Sequence, residues 1–307
     1  MAKRKGEKNK SLLTGIIISV LIIAALLASG KLEAKFNQDD GKDVTGISEN
    51  IGITVHFLDV GQGDSEFIEL PDGQCMLIDA GESSYGESVS ASIRSFGYSK
   101  IDYLVATHPH SDHIGGLKTV IDSFEVGNVY MPRATSTSGT YETLLKTIMN
   151  KGLKIKTVNA GLGFETQGGA YIEFLSPAGS SYDDLNNFSA VLKLTYKDDS
   201  YLFTGDAEAL AEKEMLDNYA YELDCDVLKV GHHGSKSSSS KSFINAVSPD
   251  YAVISCGQDN SYGHPNSETL ETLESASAQI YRTDELGTVV IRSEGDGIYE
   301  VSYEVDS

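Results

Sequence analysis

The stretch ATHPHSDHIGG, residues 106–116, places His108, His110, Asp112 and His113 within one short span directly after an apolar run. His108 and His110 alternate around Pro109, so two imidazoles can face one point from an extended loop. Asp112 and His113, at the start of a following helix, can face a second point close by. Neutral imidazole and carboxylate are ligands that Zn²⁺, Mn²⁺ or Fe²⁺ accept. Gly115 and Gly116 let the backbone pass tightly beneath such ions. A solvated His-rich turn is the plainer reading, but ligand side chains at this density are rarely structural.

Outward from this loop the chain alternates short β-rich runs with helical periods. The run DYLVATH (102–108) reads as a buried strand and 114–122 as the helix after the loop. Upstream, ITVHFLD (53–59), SEFIEL (65–70) and QCMLID (74–79) follow one another closely, with Pro71-Asp72-Gly73 as a hairpin turn, so antiparallel strands open the domain. A helix over 87–96 precedes the loop strand. Downstream come a strand at 127–131 and a helix at 141–150. The runs AYIEFLS (170–176), SAVLKLTY (189–196) and SYLFTGD (200–206) then restore β character. A helix at 207–216, strand DVLKVGHH (226–233), helix 241–247, strand YAVIS (251–255), helix 267–274 and closing strands complete the chain. The serine run 237–240 suits a helix-capping loop. Two blocks of β-meander followed by βα units predict an α/β fold, an αββα sandwich with two sheets face to face and helices outside.

Composition narrows the function. Lys and Arg total 24 against 45 Asp and Glu, a net charge of −21, so no broad basic face for gripping nucleic acid is expected. Cys75, Cys225 and Cys256 lie far apart without CxxC spacing, which argues against a zinc ribbon or a disulfide-dense scaffold. Residues 12–29, LLTGIIISVLIIAALLAS, form an uncharged aliphatic run close to the roughly 20 residues that span a bilayer. Ahead of it Lys3, Arg4, Lys5, Lys8 and Lys10 mark residues 1–11 as cytoplasmic, so the remainder is expected outside the cell membrane. A single-pass anchor is expected there; a cleaved signal peptide, giving a secreted domain, is the alternative. The polar segment 30–50 reads as a flexible stalk, leaving 51–307 as the catalytic domain.

The HxHxDH loop resembles the metallo-β-lactamase superfamily. Together with FLDVGQGDS (57–65), LIDAG (77–81), LFTGD (202–206), DVLKVGHHGS (226–235) and YGHP (262–265), it is similar to the extracellular domain of ComEC-type competence proteins. That resemblance runs from about 54 to 291 and implies two divalent metal ions, Zn²⁺ or Mn²⁺. His108 and His110 would hold the first, Asp112 and His113 the second, and Asp206 would bridge them, with Asp112 also taking part in catalysis. His264, after a late strand, is the expected last ligand of the second metal. His232 and His233 are then candidates for a phosphate contact or a proton donor, or for metal ligation in place of His264. Ser235 could add a hydrogen bond to substrate. Asp59 and Asp79 are expected to support ligand histidines from behind, whereas Gln62 and Asp64 fit a tight capped turn equally well. His56 is expected to have no role.

One departure from the superfamily pattern stands out. Where many members place a third histidine for the first metal, this chain has Asn186, Asn187 and Ser189, which predicts a weaker, oxygen-richer first site. With one membrane segment and no channel portion, the resemblance suggests a stand-alone phosphodiesterase or nuclease acting on DNA at the cell surface. The acidity of the exported part weighs against long DNA. The alternatives are a hydrolase of a small or cell-wall ester of the phosphorylcholine type, then of a β-lactam or thioester, and, from a different class, a non-catalytic binding module.

Overall fold

The computed structural model describes residues 52–304. The expected cytoplasmic tail, membrane segment and stalk lie outside the described residues. Among the described residues no helix is long and apolar enough to cross a membrane.

The chain opens with β1 (Ile53–Phe57), β2 (Glu66–Glu69) and β3 (Cys75–Ile78), paired antiparallel as their close succession predicted. Helix α1 (Gly86–Ser95) leads to β4 (Lys100–Val105), which runs parallel to β3. Helices α2 (Ser111–Ile114) and α3 (Leu117–Ser123), strand β5 (Glu125–Pro132), helix α4 (Gly139–Asn150) and strand β6 (Ile155–Val158) finish the first half. The second half holds β7 (Gly163–Glu165), β8 (Tyr171–Phe174), β9 (Leu192–Tyr196) and β10 (Asp199–Phe203), then α5 (Ala209–Tyr219) and β11 (Val227–Lys229). It closes with α6 (Lys241–Val247), β12 (Tyr251–Ile254), α7 (Ser267–Ser275), β13 (Gln279–Arg282), α8 (Thr283–Leu286), β14 (Thr288–Ser293) and β15 (Glu300–Glu304).

Two sheets result, one ordered β15-β14-β1-β2-β3-β4-β5-β6 and the other β13-β12-β11-β10-β9-β8-β7. The strand period of two sorts their side chains. Val55, Phe57, Ile68 and Met76 meet Leu192 and Phe203 in the core between the sheets. Phe67, Leu77 and Leu104 point the other way and pack under the first set of helices, with Leu144 and Ile148 of α4. Leu202, Leu228 and Ile254 do the same beneath α5, α6 and α7. Both faces of each sheet are covered, which is why the central strands read as continuous apolar runs. Each fully buried Phe or Leu contributes about 1.5–3 kcal/mol relative to exposure. This is the predicted αββα sandwich.

Two local expectations change. The helix predicted over 114–122 is split into α2 and α3 at Gly115-Gly116. A Cβ on Gly116 would come within 2.2 Å of the Ala80 carbonyl oxygen, so here the chain is pressed against the loop after β3 rather than wound as one helix. Strand β6 was not anticipated, because Ile155, Lys156 and Thr157 are exposed and lack an apolar face; it is a charged sheet edge that pairs with β5. The serine run behaves as expected, with the Ser240 hydroxyl capping α6 by accepting from the Phe243 amide.

Candidate metal centre

Strands β3 to β6 run parallel, as do β10 to β13. The carboxyl ends of parallel strands are where α/β folds build sites. Here the loops after β4, β10 and β11 deliver His108–His113, Asp206 and His232–His233 to one place.

Two groups of side chains converge there. His108, His110 and Asp206 form one, and Asp112, His113, Asp206 and His233 the other; within each, the candidate ligand atoms lie within 4.8 Å of one another. Asp206 belongs to both. His108 Nε2 lies 3.6 Å from Asp206 Oδ2, and His113 Nε2 lies 3.1 Å from Asp206 Oδ1. His233 Nε2 approaches Asp112 Oδ2 at 3.4 Å and Asp206 Oδ1 at 3.7 Å.

The unshared atoms test whether a cation fits. His113 Nε2, His233 Nε2 and Asp206 Oδ1 are buried without a hydrogen-bond partner. Leaving such atoms unsatisfied costs about 1–3 kcal/mol each, which a cation between them removes. Their other ends are anchored. His113 Nδ1 donates to Asp79 Oδ2 at 2.8 Å, and His233 Nδ1 donates to the Ser255 carbonyl at 3.0 Å, while Asp64 Oδ1 lies 3.2 Å away as an ionic neighbour without a hydrogen bond. Each bond fixes the tautomer that leaves Nε2 as an electron-pair donor. Asp79 itself is held by the Thr107 amide at 2.9 Å and the Thr107 hydroxyl. The residues fit a pair of divalent cations of the kind imidazole and carboxylate select.

Without metal the charges lean on one another. Burial alone would lower His113, but Asp206 and Asp79 hold its pKa well above the ordinary value. His233 is likewise lifted against burial, by Asp206 and Asp64, to about 10. Burial and the neighbouring His113 push His108 well below the ordinary value. Asp206 and Asp112 resist the upward pull of burial, Asp206 through His113 and His233, and Asp112 through His233 and His113 to about 2.

His264 falls outside both groups. Its ring stacks 6.4 Å from that of His233, and its Nδ1 faces Gln62 Nε2 at 3.4 Å. Gln62 also accepts the Gly257 amide, so it ties the loop after β1 to the loop that carries His264. The position expected for His264 is taken by His233, because both His232 and His233 adopt left-handed backbone with φ near 50° and 55°. That turn swings consecutive side chains to different places, and His233 dives into the buried group. His232 stays at the mouth, with Nδ1 3.0 Å from Ser237 Oγ and 3.3 Å from Glu208 Oε1, and Nε2 3.6 Å from Asp206 Oδ2.

Other expectations are redistributed. Ser235 is buried, its hydroxyl on Ser237, so it shapes the loop, and Ser237 is the serine that reaches His232. Asp79 stands behind His113 as expected. Asp59 accepts the Gly61 amide and lines a polar cavity of about 770 Å³ with Gln62, Tyr85, Asn260 and Asp284, beside the centre. The residue that stands behind His233 is Asp64, and a Cβ on its neighbour Gly63 would meet the Asp112 carbonyl oxygen at 2.3 Å. Ser189, in the stretch without the third histidine, accepts the Asp206 amide at 3.1 Å and lies 3.5 Å from His108 Nδ1. His56 pairs with Glu69 at 2.9 Å and stacks on Phe96, away from the centre. Lys229 escaped the sequence reading entirely. Its signal was a lone cation inside the apolar run 227–230, where charge is rarely buried without a partner.

A family model described as the metallo-beta-lactamase superfamily matches residues 58–258. The chain is 32% identical over 255 residues to ComE operon protein 3 of Bacillus subtilis (strain 168), covering 78% of this chain and 33% of that protein. It is 30% identical over 232 residues to competence protein ComA of Neisseria gonorrhoeae, covering 75% of this chain and 31% of that one. The chain therefore spans about a third of the length of these relatives. Among solved structures, CmlA, a diiron β-hydroxylase from Streptomyces venezuelae, aligns with a TM-score of 0.50 at 14% identity, over 75% of this chain and 52% of that one. Likeness this distant concerns the fold alone.

Proposed function

The chain belongs to the metallo-β-lactamase superfamily and is a metal-dependent hydrolase, and on that premise we propose that it is a two-metal phosphodiesterase of the ComEC-like group. The observation that carries the reading is the sharing of Asp206 between two ligand groups. His108, His110 and Asp206 would hold one cation, and Asp112, His113, Asp206 and His233 the other. Two such cations would supply Lewis-acid chemistry, activating water near neutral pH and offsetting charge on a phosphoryl group.

The chain's own residues supply the rest. Asp79 and the Ser255 carbonyl keep His113 and His233 presenting Nε2. His232 has Nδ1 engaged by Glu208 and Ser237, so Nε2 is the atom left to hand a proton to the leaving oxygen. Its partial exposure at the mouth suits contact with substrate.

Residues 12–29 would anchor the domain on the outer face of the membrane, given the basic residues before them. DNA is one substrate within this reading. A second reading is favoured by the polar cavity beside the centre, lined by Asp59, Gln62 and Asn260, which suits a small polar leaving group such as that of a phosphorylcholine-type ester.

The test is turnover of linear DNA, bis-p-nitrophenyl phosphate and a phosphorylcholine ester with Mn²⁺ or Zn²⁺, with Asp206→Ala as control. Loss of activity well beyond about 100-fold is expected, since even partners behind the ligands cost 10–100-fold. Unchanged turnover in Asp206→Ala would remove the catalytic assignment. Binding of less than one metal equivalent would favour a non-catalytic binding module.

A further inference from the structure

Beneath the centre lies a buried ion pair that the chemistry above does not use. Lys229 sits on β11, inside the second sheet, with no side-chain exposure. Its Nζ donates to Asp64 Oδ2 at 2.7 Å and to the Val230 carbonyl at 3.1 Å. Asp64 comes from the loop between β1 and β2 of the first sheet, so the pair spans the sandwich. From there Asp64 reaches His233 Nδ1 at 3.2 Å through Oδ1 and His113 Nδ1 at 4.0 Å through Oδ2.

Holding the sheets together does not account for this pair. Removing an ammonium and a carboxylate from water costs several kcal/mol each, and well-packed apolar side chains do the same mechanical work as well or better. What apolar residues cannot do is fix the Nδ1 side of an imidazole. The direct contacts of the pair are with one ligand group: His113 and His233 both face Asp64, and both belong with Asp112 and Asp206. The other group has weaker backing. His108 Nδ1 meets the hydroxyls of Thr107 at 3.1 Å and Ser189 at 3.5 Å, and its Nε2 lies 3.0 Å from His110 Nδ1, on a half-buried ring.

We propose that Lys229 and Asp64 are positioning residues that make the two cation sites unequal: the Asp112, His113, Asp206 and His233 group fills first and tightly, and the His108, His110 and Asp206 group second and weakly. The proposal rests on the reading that these groups hold metal. Lys229 keeps Asp64 in place and offsets its charge, so that the Asp64 carboxylate backs His233 and His113 electrostatically, while the Ser255 carbonyl takes the His233 Nδ1 proton. Carboxylates behind imidazole ligands change metal affinity by about 10–100-fold.

The test is calorimetric titration of the metal-free full chain with Mn²⁺ and, separately, Zn²⁺. Two classes of site are expected, at least about tenfold apart. Lys229→Met and Asp64→Asn should each weaken the tight class by about 10–100-fold and leave the weak class nearly unchanged. The combined variant removes both members of the pair, leaving only the buried Glu66 carboxyl beside the site, whose pKa burial raises well above the ordinary value, so it should fold even where Lys229→Met does not, and it should keep the weakened tight class. Lys229→Arg should retain most of the wild-type affinity. The proposal is overturned by two equal classes in the wild type, by both classes falling together, or by variants that lose thermal stability while keeping wild-type affinity. A wild-type chain that binds no metal would instead overturn the metal-centre reading from which it starts.

Discussion

The loop that carries His108 to His113 and the loop that carries His232 and His233 meet at one centre, but they are built differently. In the first, His110 is extended and precedes a helical turn, and none of its histidines has left-handed backbone. Sequence spacing alone therefore tells where each ring points. In the second, two neighbouring histidines both sit at positive φ, a conformation that costs a non-glycine residue roughly 1–3 kcal/mol. The surrounding contacts hold it there: the His232 amide bonds the Gly205 carbonyl, and the Ser235 amide bonds the His232 carbonyl. Side chains on regular backbone are readable from spacing, whereas side chains on strained backbone are placed by what grips them.

Exchanging the roles of the late histidines gives the largest expected effect. His233→Ala should weaken the tighter metal by more than about 100-fold, while His264→Ala should leave metal content at the wild-type level, as measured by elemental analysis after dialysis. The reverse result would restore His264 as ligand and break the comparison. Asp79→Asn probes the first loop from behind; a loss of about 10–100-fold in metal affinity is expected, with the fold retained by circular dichroism. No change would mean that the His113 tautomer is fixed without Asp79.

His232→Gly sharpens the strain argument. Relief of left-handed strain should raise the melting temperature of the metal-free protein by about 2–4 °C, equivalent to about 1 kcal/mol, while turnover falls. A lower melting temperature would show that the contacts of His232 outweigh its backbone cost. The remaining prediction concerns pH. The folded pKa of His233 is raised to about 10 from an ordinary value of 6.5, so its contribution is fully present below pH 6.5 and fades as pH rises through about 10. Thermal melts of the metal-free protein should thus lose stability over that window, and His233→Gln should flatten the slope.

The extent to which the site was legible follows the same division. Asp206 was assigned through the family resemblance that LFTGD helps to carry, a role its place at the end of an apolar strand fits, and its side chain reaches both groups. Asp79, directly after β3, was expected behind a ligand histidine, whereas Asp64, in the loop just before β2, fitted a turn equally well; only the fold shows that Asp79 stands behind His113 and Asp64 behind His233. Ser189 and Lys229 act through partners far away along the chain, at Asp206 and Asp64.

What the amino-acid sequence determined by itself was the layered α/β architecture, the antiparallel opening, and the convergence of the 108–113 side chains. Those rest on periods of two and 3.6 and on local spacing, which the backbone enforces wherever it is regular. The tertiary structure alone decided that His233 rather than His264 joins the buried group, and that a lysine from one sheet pairs with an aspartate from the other beneath it. Neither is encoded by spacing, because each depends on which loops two packed sheets bring within about 3 Å, the range over which a hydrogen bond forms.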